Sequence, residues 1–156
     1  MAAEENAIRR IMPHSQEAER SVIGSMLIDQ EAIAAAMEIL TGEDFYQMQY
    51  GVLFDAMTEL YNEGKSVDEV TLKTALRQKG APEELINLEF AADLVAATPT
   101  SVNIRQYARI VADQAQLRRL IRVNEEIAAA CYSGQDKVEN ILEDTEKKIF
   151  QDLTAK

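Results

Sequence analysis

Several groups of residues invite a chemical reading. Gly64-Lys65-Ser66 matches the close of a phosphate-binding loop, in which backbone amides and a lysine cradle phosphates and the hydroxyl holds magnesium. The full motif needs a glycine at position 59, where Glu59 stands, and a preceding strand where the pattern here is helical. A helix C-cap followed by a polar turn is the expectation instead. His14 and Cys131 are each the only residue of their type and lie far apart, so no zinc site is expected. His14 reads as an exposed arm residue and Cys131 as a small buried apolar side chain. Glu83-Glu84, Glu125-Glu126 and Glu143-Asp144 could serve as acid and base, but neighbours on a helix diverge by about 100° and cannot converge on one substrate. No catalytic, cofactor-binding or metal-binding residue is therefore expected in this chain.

Arg118, Arg119 and Arg122 form the densest basic cluster, with Arg105 and Arg109 preceding them. Pairing with Glu139, Glu143 or Glu146 explains them better than nucleic acid does, since no exposed aromatics interleave. The whole chain points the same way. Its 156 residues carry 16 basic and 27 acidic side chains, a formal charge of −11 that opposes approach to phosphates. DNA binding should be weak, and a protein partner is the better expectation. At 47% hydrophobic residues the chain is too apolar for a disordered acidic tail, while no apolar run reaches the roughly 18 residues of a membrane span. A single cysteine fits a reducing cytoplasm, and Glu4, Glu5, Arg9 and Arg10 interrupt any secretory signal.

The elements that would position these residues are helical. Pro13, Gly42, Gly64, Gly80, Pro82, Pro99 and Gly134 divide blocks rich in Ala, Leu, Glu, Gln and Met. Ser15 caps a helix over about 15–29, with Ala18, Val22, Ile23, Met26 and Leu27 on one face. An Ala-rich helix follows over about 31–40. Asp44 then caps a third, facing Leu53, Ala56, Met57 and Leu60 inward to a stop at Gly64. Asp68 caps a fourth carrying Leu72, Ala75 and Leu76, and Pro82 opens a fifth with Leu85, Leu88, Ala92 and Val95 as its stripe. That stripe leaves Phe90 outside, either as an exposed aromatic anchor for a partner or packed under the hairpin. No Gly or Pro interrupts the interval from Pro99 to Gly134, which predicts a helix of roughly 45 to 50 Å. Gly134 permits a reversal into a return helix whose apolar face is Val138, Ile141, Leu142, Thr145 and Ile149.

The fold class that follows is all-α: a small globular helical bundle, then a long antiparallel helical hairpin. The divisions are a flexible arm over 1–14, a globule over 15–98 and the hairpin over 99–156. The long helix carries two apolar seams rotated by about 100°: Leu117, Ile121, Ala128 and Cys131, and Leu120, Val123, Ile127 and Ala130. One return helix covers one seam. Either the long helix is buried on two sides within its own chain, or the return helix covers the first seam and leaves Leu120, Val123 and Ile127 for self-association, the reading that a projecting hairpin favours.

Pro13-His14-Ser15 with Glu17-Ala18-Glu19 and Val22-Ile23-Gly24, Asp44-Phe45-Tyr46, Leu53-Phe54, Val67-Asp68 with Thr71-Leu72, Thr98-Pro99 leading to Asn103-Ile104, and Tyr107-Ala108-Arg109-Ile110-Val111 resemble the N-terminal domain of the bacterial replicative DNA helicases, the DnaB family. Leu117-Arg118-Arg119-Leu120-Ile121 and Glu146-Lys147-Lys148-Ile149-Phe150 extend the likeness, which covers 13–150. It implies the non-catalytic collar of a hexameric, ATP-driven helicase, whose hairpins pair and whose pairs close into a trimer of dimers. It also implies a primase C-terminal domain and a helicase loader as partners, with ATP and magnesium confined to a RecA-like motor domain beyond this chain. Tyr50 stands where the family often has His, and Asn87-Leu88 where it often has Gly-Gly. With Phe90 and Ile121, Tyr50 completes the candidate primase contacts. The competing reading is an independent helical adaptor that binds a partner helix through its hairpin.

Overall fold

The structure is a computed structural model that describes residues 11–153. These form eight α-helices and no strand. They divide into two compact units, one over His14–Asp113 and one made of the segment ending at Pro13 together with the chain from Gln114 onward. The division falls inside the longest helix rather than at 98/99, because that helix spends Ile104, Ala108 and Val111 in the core of the first unit. The proposed flexible arm lies largely outside the described residues. His14 is half-buried in the first unit, stacked on Tyr46 with ring centroids 3.9 Å apart and planes 6° from parallel.

In the first unit α1 spans Gln16–Ile28, α2 Gln30–Met37, α3 Met48–Asn62, α4 Glu69–Gln78, α5 Glu83–Ile86 and α6 Glu89–Ala97. Ser15 caps α1 as its type predicts, its hydroxyl accepting the Ala18 amide. α1 is the central element and packs on α2, α3 and α6, with Val22 and Ile23 fully buried. Gly24 permits the contact with α6, since a Cβ there would collide with Thr98. Asp29 ends α1 and caps α2 through the Glu31 amide; its other oxygen accepts the Ser101 hydroxyl at 2.8 Å.

Two local expectations are corrected. Asp44 does not cap α3. It accepts the Thr41 amide at 2.9 Å and closes a 3-10 turn over Gly42–Asp44. The entry to α3 is held instead by Glu19 of α1, 1% exposed, whose Oε2 and Oε1 accept the Tyr46 and Gln47 amides at 2.9 and 3.1 Å. A carboxylate at those unpaired amides is favoured by the helix dipole. The predicted fifth helix is two helices, because Leu88 adopts φ 57°, the left-handed region, between α5 and α6. The break resets the helical phase: Leu85, Leu88 and Leu94 are buried, whereas Ala92 and Val95 face outward.

α4 begins at Asp68, whose carboxylate accepts the Thr71 amide while the Thr71 hydroxyl accepts the Asp68 amide. α7 then runs over Ile104–Ser133, 30 residues, and α8 over Val138–Lys147, continued by a π-helical turn over Lys148–Asp152. Gly134 at φ +61° makes the reversal between them.

Candidate docking surfaces

Gly64-Lys65-Ser66 is the C-terminal stop of α3. Gly64 is left-handed, the Lys65 amide donates to the Leu60 carbonyl, and Lys65 pairs with Glu63 at 2.9 Å. Among the described residues no group of His, Cys, Asp and Glu is placed to hold a metal ion. What the molecule offers is surface, and the hairpin carries the most distinctive part of it.

The second unit joins α8 to one side of α7. Gln116 Nε2 donates to the Leu153 carbonyl at 2.7 Å, and Lys148 bridges Glu126 at 3.2 Å and Asp144 at 3.3 Å. The pairs descend on one helix as they ascend on the other, so the helices are antiparallel. Both carboxylates favour the charged ammonium and raise the Lys148 pKa, the Glu126 hydrogen bond being the larger cause. Beyond the Lys148 bridge, toward the Gly134 turn, Ile127 and Ala130 face Ile141 and Thr145 across a narrow cleft.

This geometry reverses the assignment of the seams. Val123, Ile127 and Ala130 are half-buried on the side of α7 that α8 covers, with Leu120, 37% exposed, at its flank. Val123 and Ile127 therefore belong to the hairpin's own seam, and Leu120 stands exposed at its edge. Leu117 is 45% exposed, Ala128 and Cys131 are exposed, and Ile121 is half-buried, so the other seam remains open. Periodicity fixes the angle between two stripes but not which one a partner selects. Cys131, expected inside, is on the open stripe.

The open stripe continues onto α8. There Val138 and Leu142 are 68% and 65% exposed. On α7 the open residues follow the covered ones by about 100° in the sense of the helix, and on α8 Leu142 follows Ile141 by the same angle. The same rotation on antiparallel helices turns toward the same side of the pair. Leu117, Ile121, Ala128, Cys131, Val138 and Leu142 thus share one face. Leu142 was legible in sequence only as part of the return helix's inner face.

The remaining candidates are dispersed. Arg118, 4% exposed, donates to the Pro13 carbonyl at 2.9 Å, and Arg119 donates to Gln116. Arg105 pairs with Glu38 of the first unit at 2.7 Å. Phe90 is half-buried against the core of the first unit, which corrects its reading as an exposed anchor. Tyr50 is 8% exposed in the same core, and burial raises its phenol pKa. Ile121 alone of the three lies on the open hairpin face. The exposed Met48, at 81%, and Tyr132, at 91%, had no periodic signal to mark them.

Residues 11–113 match a family described as the DnaB-like helicase N terminal domain. The chain is 37% identical over 142 residues to the replicative DNA helicase DnaB of Geobacillus stearothermophilus and 36% identical over 142 residues to the replicative DNA helicase DnaC of Bacillus subtilis. It spans about a third of those proteins: each likeness covers 91% of this chain and 31% of the relative. The crystal structure of the N-terminal domain of DnaB helicase from Mycobacterium tuberculosis superposes with a TM-score of 0.81 at 32% identity, covering 89% of this chain and 99% of that one. The corresponding Helicobacter pylori domain, described with its interactions with primase, shares the fold at a TM-score of 0.65 and 21% identity, over 75% of this chain and 91% of that one.

Proposed function

This chain belongs to the DnaB-like helicase N-terminal domain family, and from that premise we propose that it is the collar of a hexameric, ATP-dependent replicative helicase, associating with copies of itself and docking primase. The open apolar face of the hairpin carries the reading. Side chains such as Val138 and Leu142, more than half exposed beside Ala128 and Cys131, continue the strip that begins at Leu117 and form an association surface rather than scattered surface apolars. The collar itself does no chemistry: ATP and magnesium belong to a motor domain in the rest of the helicase. A charge of −11 keeps the collar from gripping DNA, so strand contacts fall to other parts of the assembly. The setting is the bacterial cytoplasm at the replication fork, and among the described residues no helix is long and apolar enough to cross a membrane.

Self-association is tested by sedimentation of the chain with Leu117→Glu or Leu142→Glu, each placing a charge on the open face. Both variants should be folded monomers where the parent forms dimers or larger species. Ile127→Glu should instead disrupt the hairpin and lower helicity. Parent-like association of Leu117→Glu would move the contact elsewhere. Titration calorimetry with a primase C-terminal domain tests the partner, and absence of heat at about 100 μM of each protein would remove primase from the reading.

A further inference from the structure

We propose that Asn124 sets the register in which two copies of this chain pair, an inference that rests on the self-association just described. The open strip of α7 runs Leu117, Ile121, Asn124, Ala128, Cys131, with spacings of 4, 3, 4 and 3, the period of a coiled-coil seam. Asn124 is the one polar member, and it lies at the centre, seven residues from Leu117 and seven from Cys131. It is exposed, and among the described residues its side-chain amide has no hydrogen-bond partner. An amide both donates and accepts. A second copy of itself across a twofold axis satisfies it, whereas a shift along an apolar strip would desolvate it unpaired.

Volume selects the direction of pairing. The large side chains, Leu117 and Ile121, occupy one half of the strip, and the small ones, Ala128 and Cys131, the other. Parallel copies would set small against small and leave a void at the tip end. Antiparallel copies centred on Asn124 set Leu117 against Cys131 of the second copy and Ile121 near its Ala128, filling each gap. Val138 and Leu142 of α8, 68% and 65% exposed, flank the Ala128–Cys131 half of the strip, so the second copy's Leu117 and Ile121 would seat against them as well, adding apolar area toward the roughly 800 Å² per partner that a stable dimer buries.

The test uses the whole chain with Leu117→Cys, retaining Cys131, and a short bismaleimide. Within one chain the two thiols stand about 21 Å apart along the helix, beyond the reagent's reach, so a linked dimer reports pairing between copies. The two-thiol chain should cross-link at least tenfold faster than the parent or than Leu117→Cys/Cys131→Ser. Asn124→Leu in the two-thiol chain should tighten the dimer about tenfold by sedimentation while reducing the cross-linking advantage below threefold, as alternative registers become populated. Asn124→Ala, checked for unchanged helicity, should lose the advantage without tightening. A dimer with no advantage for the two-thiol chain, or one that keeps it after both Asn124 changes, would overturn the role of Asn124 and leave self-association standing. A parent chain monomeric at about 100 μM would overturn self-association itself, and the register with it.

Discussion

At position 88 glycine should replace leucine with less damage than alanine does, the reverse of the order at right-handed helical positions. Leu88 follows the C-terminus of α5 with φ 57° and ψ 24°, its amide donating to the Leu85 carbonyl and its side chain 8% exposed. Truncation to alanine removes a buried leucine, about 2–5 kcal/mol in general, and leaves a Cβ on left-handed backbone, which costs roughly 1–2 kcal/mol. Glycine loses the same side chain and has a more disordered unfolded state, worth about 0.5–1 kcal/mol, but the left-handed cost disappears. Leu88→Gly should therefore be about 0.5–1 kcal/mol more stable than Leu88→Ala. Leu85 is the control: it is 4% exposed and right-handed on α5, so there glycine should fall below alanine by about 1 kcal/mol. Urea denaturation of the four variants, followed by circular dichroism, reads a reversal of sign between two sites three residues apart. If glycine is worse than alanine at both positions by the same margin, the left-handed backbone at Leu88 is not kept in solution and the reasoning fails.

Glu19→Gln should cost about 2–4 kcal/mol, because an amide nitrogen would face one of the two backbone N–H groups that the carboxylate now accepts. A melting temperature within a few degrees of the parent would exclude Glu19 as the clamp on α3. Ser25→Ala should be neutral or stabilising by up to about 1 kcal/mol, since the buried Ser25 hydroxyl has no hydrogen-bond partner among the described residues; a loss above about 1 kcal/mol in urea denaturation would reveal a partner elsewhere. The Asp68 carboxyl, held down first by the Thr71 amide, should titrate below the ordinary aspartate range, so the α4 cap is complete above that range and is lost only as pH falls through the depressed pKa. Carbon NMR of the side chain checks this, and a midpoint at or above the usual aspartate value would contradict it.

The elements that the sequence disclosed are those whose signals are local. Ser15 and Asp68 mark helix starts by side chains that reach amides three residues ahead, Gly64 and Gly134 mark stops by φ values other residues avoid, and the uninterrupted run before Gly134 requires a long α7. The errors arose where a decision depended on a distant partner. Asp44 is followed by a helix and has the right chemistry to cap it, yet Glu19, 27 residues before Tyr46, takes the amides at the α3 entrance. Leu88 reads as a helical core position because its burial is correct; only its backbone is not, and a leucine carries no local signal of left-handed geometry. The hairpin seams are the clearest instance. Leu117, Ile121, Ala128 and Cys131 compete on equal periodic terms with Leu120, Val123, Ile127 and Ala130. Polar anchors on the second side break the tie: Gln116 reaching the Leu153 carbonyl and Glu126 reaching Lys148 turn that stripe toward α8. A stripe flanked by groups that can bond a known neighbour is the one that neighbour covers. The stripe without them, interrupted only by Asn124, is left for a surface able to answer a single amide, and that requirement makes another copy of the same strip its natural complement.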